Sequence, residues 1–299
     1  MDLKTGTRLP DWFKVEVRSG DNFSRLKGLL DEHGLHTVCR GARCPNLWEC
    51  WNAGTATFMI LGDSCTRNCR FCGVPPARSI RPPDPREPEK IAETAARLGL
   101  AWVVITSVTR DDLPDGGASH FQACVKAVRS RCPGTSVELL IPDFRGERRA
   151  LETVAASGAA VIAHNVETVP RLYAEVRPEA DYQRSLEVLG WLASHSESRY
   201  TVKSSIMVGL GEETGEVLAV LGDLAEAGVG AATLGQYLPP SKKHLPVKKF
   251  YTPQEFTELA ESAIKAGIPR VASGPLVRSS YMAHELAGRE MRREENLPG

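Results

Sequence analysis

Net charge is the first thing this sequence lacks: its 37 basic side chains are matched by 37 acidic ones. Such a balance excludes a general nucleic-acid binder, whose domain carries a basic excess; only a local basic patch stays open. Long apolar runs are also missing, and none approaches the ~20 residues that span a bilayer. Met1 to Pro10 lacks the apolar core of a secretory signal. The expectation is a soluble, cytoplasmic protein with neither membrane nor nucleic acid as partner. No low-complexity segment or repeat is evident. Hydrophobic content of 42% and charge content of 25% are those of an ordinary globular chain. Its 299 residues allow one sizeable core, such as an α/β barrel, or two small domains.

What is present in excess is cysteine, and it is unevenly placed. Six of the eight lie between positions 39 and 72. In a short secreted chain that count suggests disulfides. In a longer chain without a signal, crowding of this kind reads as metal ligation.

The stretch up to Gly54 has no steady periodicity, apart from a short helix expected over Phe23 to Leu30. From Thr55 onward β-type runs alternate with helix-period segments. The runs are Thr55–Leu61, Trp102–Thr106, Val137–Ile141, Val161–His164, Tyr200–Val208 and Ala231–Gly235. After each comes an amphipathic pattern, for example Phe121, Cys124, Val125 and Val128, or Phe256, Leu259, Ala260 and Ala263. Strict alternation means a parallel sheet covered by helices. The expectation is an α/β fold with a partial (β/α)6 TIM-like barrel, and a doubly wound sheet is the competing architecture. Three parts follow: an N-terminal extension (1–54), the barrel (55–270), and a C-terminal segment (271–299) that closes over it. In either architecture ligands sit at the C-terminal ends of the strands, where the polar motifs of this chain fall.

Cys65-Thr-Arg-Asn-Cys69-Arg-Phe-Cys72 follows the first barrel strand. Three thiolates on one loop wrap a compact metal site. Structural zinc and a fully protected 4Fe–4S cluster both want four ligands, so three leave one iron open to an exogenous ligand. A zinc loop that borrows a distant fourth ligand is the competing reading. A second triad precedes it: Cys39-Arg-Gly-Ala-Arg-Cys44-Pro-Asn-Leu-Trp-Glu-Cys50. That spacing is not a zinc-ribbon pattern. Elsewhere, Cys124 reads as core and Cys132 as an incidental thiol. Gly209-Leu-Gly211 lacks the rest of a phosphate fingerprint and reads as a strand-end turn. His244 and Tyr237 lie in the loop after the sixth strand, within reach of a substrate.

The CxxxCxxC spacing, with an aromatic before the last cysteine, resembles the radical S-adenosylmethionine (SAM) superfamily. Both triads together resemble one family within it, lipoyl synthase. The resemblance runs through LPDWFK (Leu9–Lys14), HTVC (His36–Cys39) and CPNLWECW (Cys44–Trp51). It continues in TSVTRDDLPDGGASHF (Thr106–Phe121), HNVETVPRLYAEVRP (His164–Pro178) and KSSIMVGLGE (Lys203–Glu212). It ends with GQYLPPSKKHLPV (Gly235–Val247) and ASGPLVRSSY (Ala272–Tyr281). The chain departs from the family's usual pattern at Arg40 and Gly41, at Ser205, and in Pro75–Pro88; none of these is an expected ligand.

The resemblance implies two 4Fe–4S clusters and SAM as cofactors. The Cys65, Cys69 and Cys72 cluster would chelate SAM through its open iron and cleave it to a deoxyadenosyl radical. Cys39, Cys44 and Cys50 would hold an auxiliary cluster, consumed as the sulfur source. Its fourth ligand would be a serine of Arg278-Ser279-Ser280-Tyr281, taken as Ser279 with Ser280 as the alternative. Serine is a hard ligand for iron, which suits a cluster meant to come apart. Gly116 and Gly117 would present carbonyls to the SAM amino group, Asn165 and Glu167 would meet its ribose, and Lys203 its carboxylate. The implied reaction places sulfur at carbons 6 and 8 of an octanoyl chain on a carrier-protein lysine. Implied partners are octanoylated lipoyl carrier domains, namely the glycine-cleavage H protein and 2-oxoacid dehydrogenase acyltransferase subunits. An electron donor such as ferredoxin or flavodoxin and an iron–sulfur cluster carrier complete the set. A biotin-synthase-like sulfur inserter is the alternative within enzymes, although the triad ahead of the first strand speaks against it. A non-catalytic zinc-binding α/β interaction protein is the alternative outside them.

Overall fold

The computed structural model describes residues 9–14, 21–41, 44–52, 55–77, 79–281 and 283–286. The expected boundary at Gly54 lies outside them.

The strands are β1 (His36–Thr37), β2 (Thr55–Ile60), β3 (Trp102–Ser107), β4 (Ser136–Leu140), β5 (Val161–Ala163), β6 (Thr201–Val208), β7 (Ala231–Gln236) and β8 (Val271–Gly274). Helices α1 (Asp21–His33), α2 (Val38–Gly41) and α3 (Leu47–Asn52) precede β2. Between later strands come α4 (Glu87–Leu98), α5 (Ala118–Arg131), α6 (Arg148–Ala155), α7 (Tyr173–Val176), α8 (Tyr182–Ser194), α9 (Thr214–Glu226) and α10 (Pro253–Ala266). A short α11 (Ala283–Leu286) follows β8.

The sheet order is β1 through β8 in chain sequence. All pairs from β2 onward are parallel, and β1 runs antiparallel to β2. A doubly wound sheet would reverse its strand order at a switch point; this order does not, so the barrel reading stands. It needs one correction. A seventh parallel strand, β8, lies where the sequence suggested only a closing segment.

Side-chain alternation along the strands explains the packing. Val103, Ile105, Val137, Leu139, Ile162, Val202 and Ile206 face outward into one large core shared with the helices. Trp102, Val104 and Val161 point the other way, into the barrel, and Ala283 of α11 seals that smaller cluster. The interior also carries Thr57, Glu138 and Lys203, all buried. A polar lumen of this kind costs free energy unless its groups are partnered, so the partners are informative.

The N-terminal extension is fastened by aromatic stacking. Phe23 of α1 stacks on Trp48 and Trp51 of α3, with ring centroids 3.9 and 5.0 Å apart. That contact sets α3, and with it Cys50, beside β2.

Candidate active site

The first triad gathers at the edge of the barrel. Cys39, Cys44 and Cys50 line a small cavity together with Thr55, Thr57, Arg278, Ser280 and Tyr281. The far end of the chain is brought there by specific bonds. Asn46 Nδ2 donates to the Leu276 carbonyl at 2.6 Å, and Thr57 Oγ1 donates to Ser280 Oγ at 3.2 Å. Gly235 makes the passage, because a Cβ there would run into the Val277 carbonyl. Ser280 therefore lies on the cavity wall with the three thiols, whereas Ser279, the serine first expected to close this triad, is not among the lining residues.

Burial, and then the neighbouring Cys39, push the Cys44 thiol up to about 11. Burial, Cys39, Cys44 and Glu49 push Cys50 to about 12. Thiols in this state bind a cation with release of protons. Thr55 Oγ1 on the same wall has no hydrogen-bond partner among the described residues. Three convergent thiols, a serine hydroxyl and an unpartnered hydroxyl around one void fit an iron–sulfur cluster. Among the described residues no three His, Cys, Asp or Glu side chains gather tightly enough for a single metal ion.

The second triad sits on the loop after β2. The loop is closed by backbone pairing of Cys65 with the proline-rich segment: Cys65 N–H donates to Pro75 O, and Ala77 N–H to Cys65 O. Backbone N–H groups also aim at the sulfurs. Arg67 and Thr109 point theirs at Cys65 Sγ (3.4 and 3.3 Å), and Val74 points its own at Cys72 Sγ (3.5 Å). Such donors favour the thiolate and tune a bound cluster. Burial raises Cys69 and pushes Cys72 to about 12; Cys65 adds to the rise at Cys69, and Cys69 and Cys65 add to it at Cys72. Buried Arg177 opposes the shift at Cys69.

Asn165 and Glu167 lie just beyond β5. Glu167 holds a left-handed φ of 65°, fixed by its N–H to the Ser205 carbonyl and by Met207 N–H to its own carbonyl. Asn165 Nδ2 donates to Glu167 Oε1 at 3.1 Å, while buried Asn165 Oδ1 has no partner among the described residues. That acceptor fits a ligand hydroxyl. Gly117, at φ 92°, starts α5. Its carbonyl already accepts from the His120 and Phe121 N–H groups. Of the two glycines expected to offer carbonyls, Gly116 is the one left for a ligand.

Lys203 is not at the mouth. Its Nζ donates to Glu138 Oε1 at 2.8 Å, with both side chains almost fully buried. Glu138 is in register, through Val161, with Thr201. The amine thus points two residues back toward the N-terminal end of the barrel, away from Asn165 and Glu167. Its expected meeting with a ligand carboxylate gives way to a buried ion pair. Tyr237 is likewise structural, buried with its hydroxyl donating to Leu245 O at 2.9 Å. His244 Nε2 donates to the Cys72 carbonyl at 2.9 Å, so it braces the cysteine loop. The Gly209–Gly211 turn gives its N–H groups to Glu212, as expected of a strand-end turn. Cys124 is core, and half-buried Cys132 donates weakly to the Ala92 carbonyl.

Sequence reasoning missed Arg67, Asp111 and Asp143. Their only sequence signal is an arginine set between two ligand-spaced cysteines and the acidic pair Asp111-Asp112 after β3. It missed Arg177 as well, whose Nη1 donates to the Asn165 and Val166 carbonyls at 2.9 and 3.1 Å.

Comparison with known proteins identifies the family. Residues 59–224 match the radical SAM superfamily, and residues 2–44 match the N-terminal domain of lipoyl synthase of the radical SAM family. A lipoyl synthase of Methylococcus capsulatus is 56% identical over 281 residues, spanning 94% of this chain and 87% of that protein. One from Pelodictyon phaeoclathratiforme is 51% identical, spanning 93% of this chain and 94% of the other. Among solved structures, Streptococcus suis SuiB bound to S-adenosylmethionine superposes with a TM-score of 0.56 at 13% identity, over 76% of this chain and 54% of that one. Methylornithine synthase PylB gives 0.54 at 14% identity, over 86% and 82%. At such low identity these last two speak for the fold alone.

Proposed function

The chain belongs to the lipoyl synthase family of the radical SAM superfamily, and from that premise we propose how its residues divide the work of inserting two sulfur atoms, at carbons 6 and 8, into a protein-bound octanoyl-lysine. The chemistry comes from bound cofactors: SAM and a reduced 4Fe–4S cluster supply hydrogen abstraction, and a second cluster supplies sulfur. The protein binds, orients and excludes water.

Cys65, Cys69 and Cys72 hold the SAM-binding cluster and leave one iron open. Asn165 and Glu167 orient the ribose of SAM, and Gly116 offers a carbonyl to its amino group. Cys39, Cys44 and Cys50 hold the auxiliary cluster, with Ser280 rather than Ser279 as its fourth ligand. The observation that carries this reading is the meeting of Ser280 with three thiols from the other end of the chain on one cavity wall. The parts of the chain are then an extension over 1–54, a barrel over 55–274 that includes β8, and a closing segment over 275–299. Octanoylated carrier domains are the substrate. The glycine-cleavage H protein and 2-oxoacid dehydrogenase acyltransferase subunits are the proposed carriers, ferredoxin or flavodoxin the electron donor, and an iron–sulfur carrier protein the source of clusters. The proposed compartment is the cytoplasm; no described helix is long and apolar enough to cross a membrane.

Iron and sulfide analysis of anaerobically purified protein tests the cofactor set. Incubation with SAM, reductant and an octanoyl-lysyl peptide tests the reaction. Two clusters per chain and a dithiolated peptide are expected. A zinc-loaded, colourless protein, or 5′-deoxyadenosine without thiolated product, would overturn the corresponding half.

A further inference from the structure

Arg67 stands between two of the ligand cysteines, and its guanidinium is buried, at 5% exposure. It makes four hydrogen bonds to two carboxylates. Nε and Nη2 donate to Asp111 at 2.8 and 2.9 Å, and Nη1 and Nη2 donate to Asp143 at 3.0 and 2.6 Å. Asp111 follows β3 and Asp143 follows β4. One side chain on the loop after β2 therefore ties three successive strand-end loops together.

The backbone repeats the attachment. Thr66 N–H donates to Thr109 O, Asp111 N–H donates to Thr66 Oγ1, and Thr109 N–H points at Cys65 Sγ. On the other flank, Arg70 N–H donates to Val176 O and His244 Nε2 donates to Cys72 O. Arg145 and Arg184 face the same two carboxylates at 3.2 and 3.3 Å.

Stability alone is a weak reason for this arrangement, because a buried ion cluster is often no better than apolar side chains of equal volume. What a guanidinium between two carboxylates gives that apolar packing does not is fixed direction. Its planar fork accepts few orientations. We propose that Arg67 is a positioning residue for the sulfur atoms of Cys65, Cys69 and Cys72. Clamped by Asp111 and Asp143, it holds the loop in ligand-ready shape before iron arrives, and it keeps the cluster in register with the β3 and β4 loops afterwards. The inference rests on the assignment of these three cysteines to a cluster. Its first consequence concerns the metal-free protein and can be measured there.

The experiment compares wild type with Arg67→Gln and Arg67→Lys by amide hydrogen exchange of the apoprotein. It adds EPR of the reduced, reconstituted protein with and without SAM. Arg67→Gln is expected to speed exchange over residues 62–74 on the order of tenfold, with residues 201–208 unchanged. The EPR line shape of the SAM-binding cluster, and its response to SAM, should also change. Arg67→Lys, which keeps the charge without the fork, should fall between the two proteins. Unchanged exchange at 62–74 with an unchanged spectrum would overturn the proposal, since the side chain would then only fill space. Faster exchange throughout the chain would also overturn it, as that marks a general stabilising role. Failure of the cluster assignment would look different: wild-type protein that takes up no iron at these cysteines.

Discussion

Thr57 Oγ1 donates a hydrogen bond to Ser280 Oγ at 3.2 Å across 223 residues of sequence. The first barrel strand thereby holds the closing segment against the cavity of Cys39, Cys44 and Cys50. If Ser280 is the fourth ligand, Ser280→Ala should lose auxiliary-cluster iron and sulfide while Ser279→Ala keeps both. Mössbauer spectroscopy of the two variants reads this directly. The reverse pattern would return the ligand to Ser279.

Acid should unfold this chain partly through one histidine. His164 is buried at the end of β5, with Nδ1 donating to the Ile141 carbonyl at 3.0 Å. Burial first, and then the charge of Arg177, hold its pKa at about 4, whereas an unfolded histidine titrates near 6.5. Between those values the folded state binds fewer protons than the unfolded one. Its contribution is therefore complete above about pH 6.5 and is lost as pH falls to about 4. The loss is on the order of 3 kcal/mol. Urea unfolding of the apoprotein across this window should show the slope, and His164→Gln should flatten it. An equal slope in the variant would assign the proton uptake elsewhere.

Lys203 and Glu138 form a buried pair, so removing one partner should cost more than removing both. Lys203→Met is expected to destabilise the fold by about 3–5 kcal/mol, and adding Glu138→Leu should restore most of it. The KM for SAM should stay within a factor of about two. A large rise in that KM with unchanged stability would show instead that the amine serves the ligand.

Gly117 holds φ 92°, and a Cβ there would meet Leu61 Cδ1. Gly117→Ala is expected to cost about 1–3 kcal/mol. Adding Leu61→Ala should relieve the collision but not the backbone strain, so the double variant should recover only in part relative to Leu61→Ala alone. Thermal unfolding of the four proteins separates the two contributions. No loss in the single variant would mean that the turn relaxes freely.

Much of this architecture could be read from the chain because its strands alternate with amphipathic helices, and their outward residues, such as Val103, Ile105 and Leu139, are uniformly apolar. The strand β8 escaped notice. Val271, Ala272 and Ser273 are only half-buried, and Pro269 and Pro275 bracket them as in a loop. Cysteine spacing marked both triads, but spacing does not choose between adjacent serines. The turn in which Tyr281 N–H donates to the Arg278 carbonyl accompanies the placement of Ser280 on the cavity wall. Lys203 misled for a related reason. Its position on β6 is evident in sequence, but its partner lies two strands away at a register the sequence does not state. The Arg67 clamp draws on three loops, each unremarkable alone.

The central claim is that the two triads do different jobs, and one comparison tests it. Reconstituted Cys39→Ala/Cys44→Ala/Cys50→Ala and Cys65→Ala/Cys69→Ala/Cys72→Ala proteins are each given SAM, reductant and an octanoyl-lysyl peptide, and 5′-deoxyadenosine and thiolated peptide are measured together. The first variant should still cleave SAM but add no sulfur, and the second should do neither. Sulfur insertion by the first variant, or SAM cleavage by the second, would contradict the account.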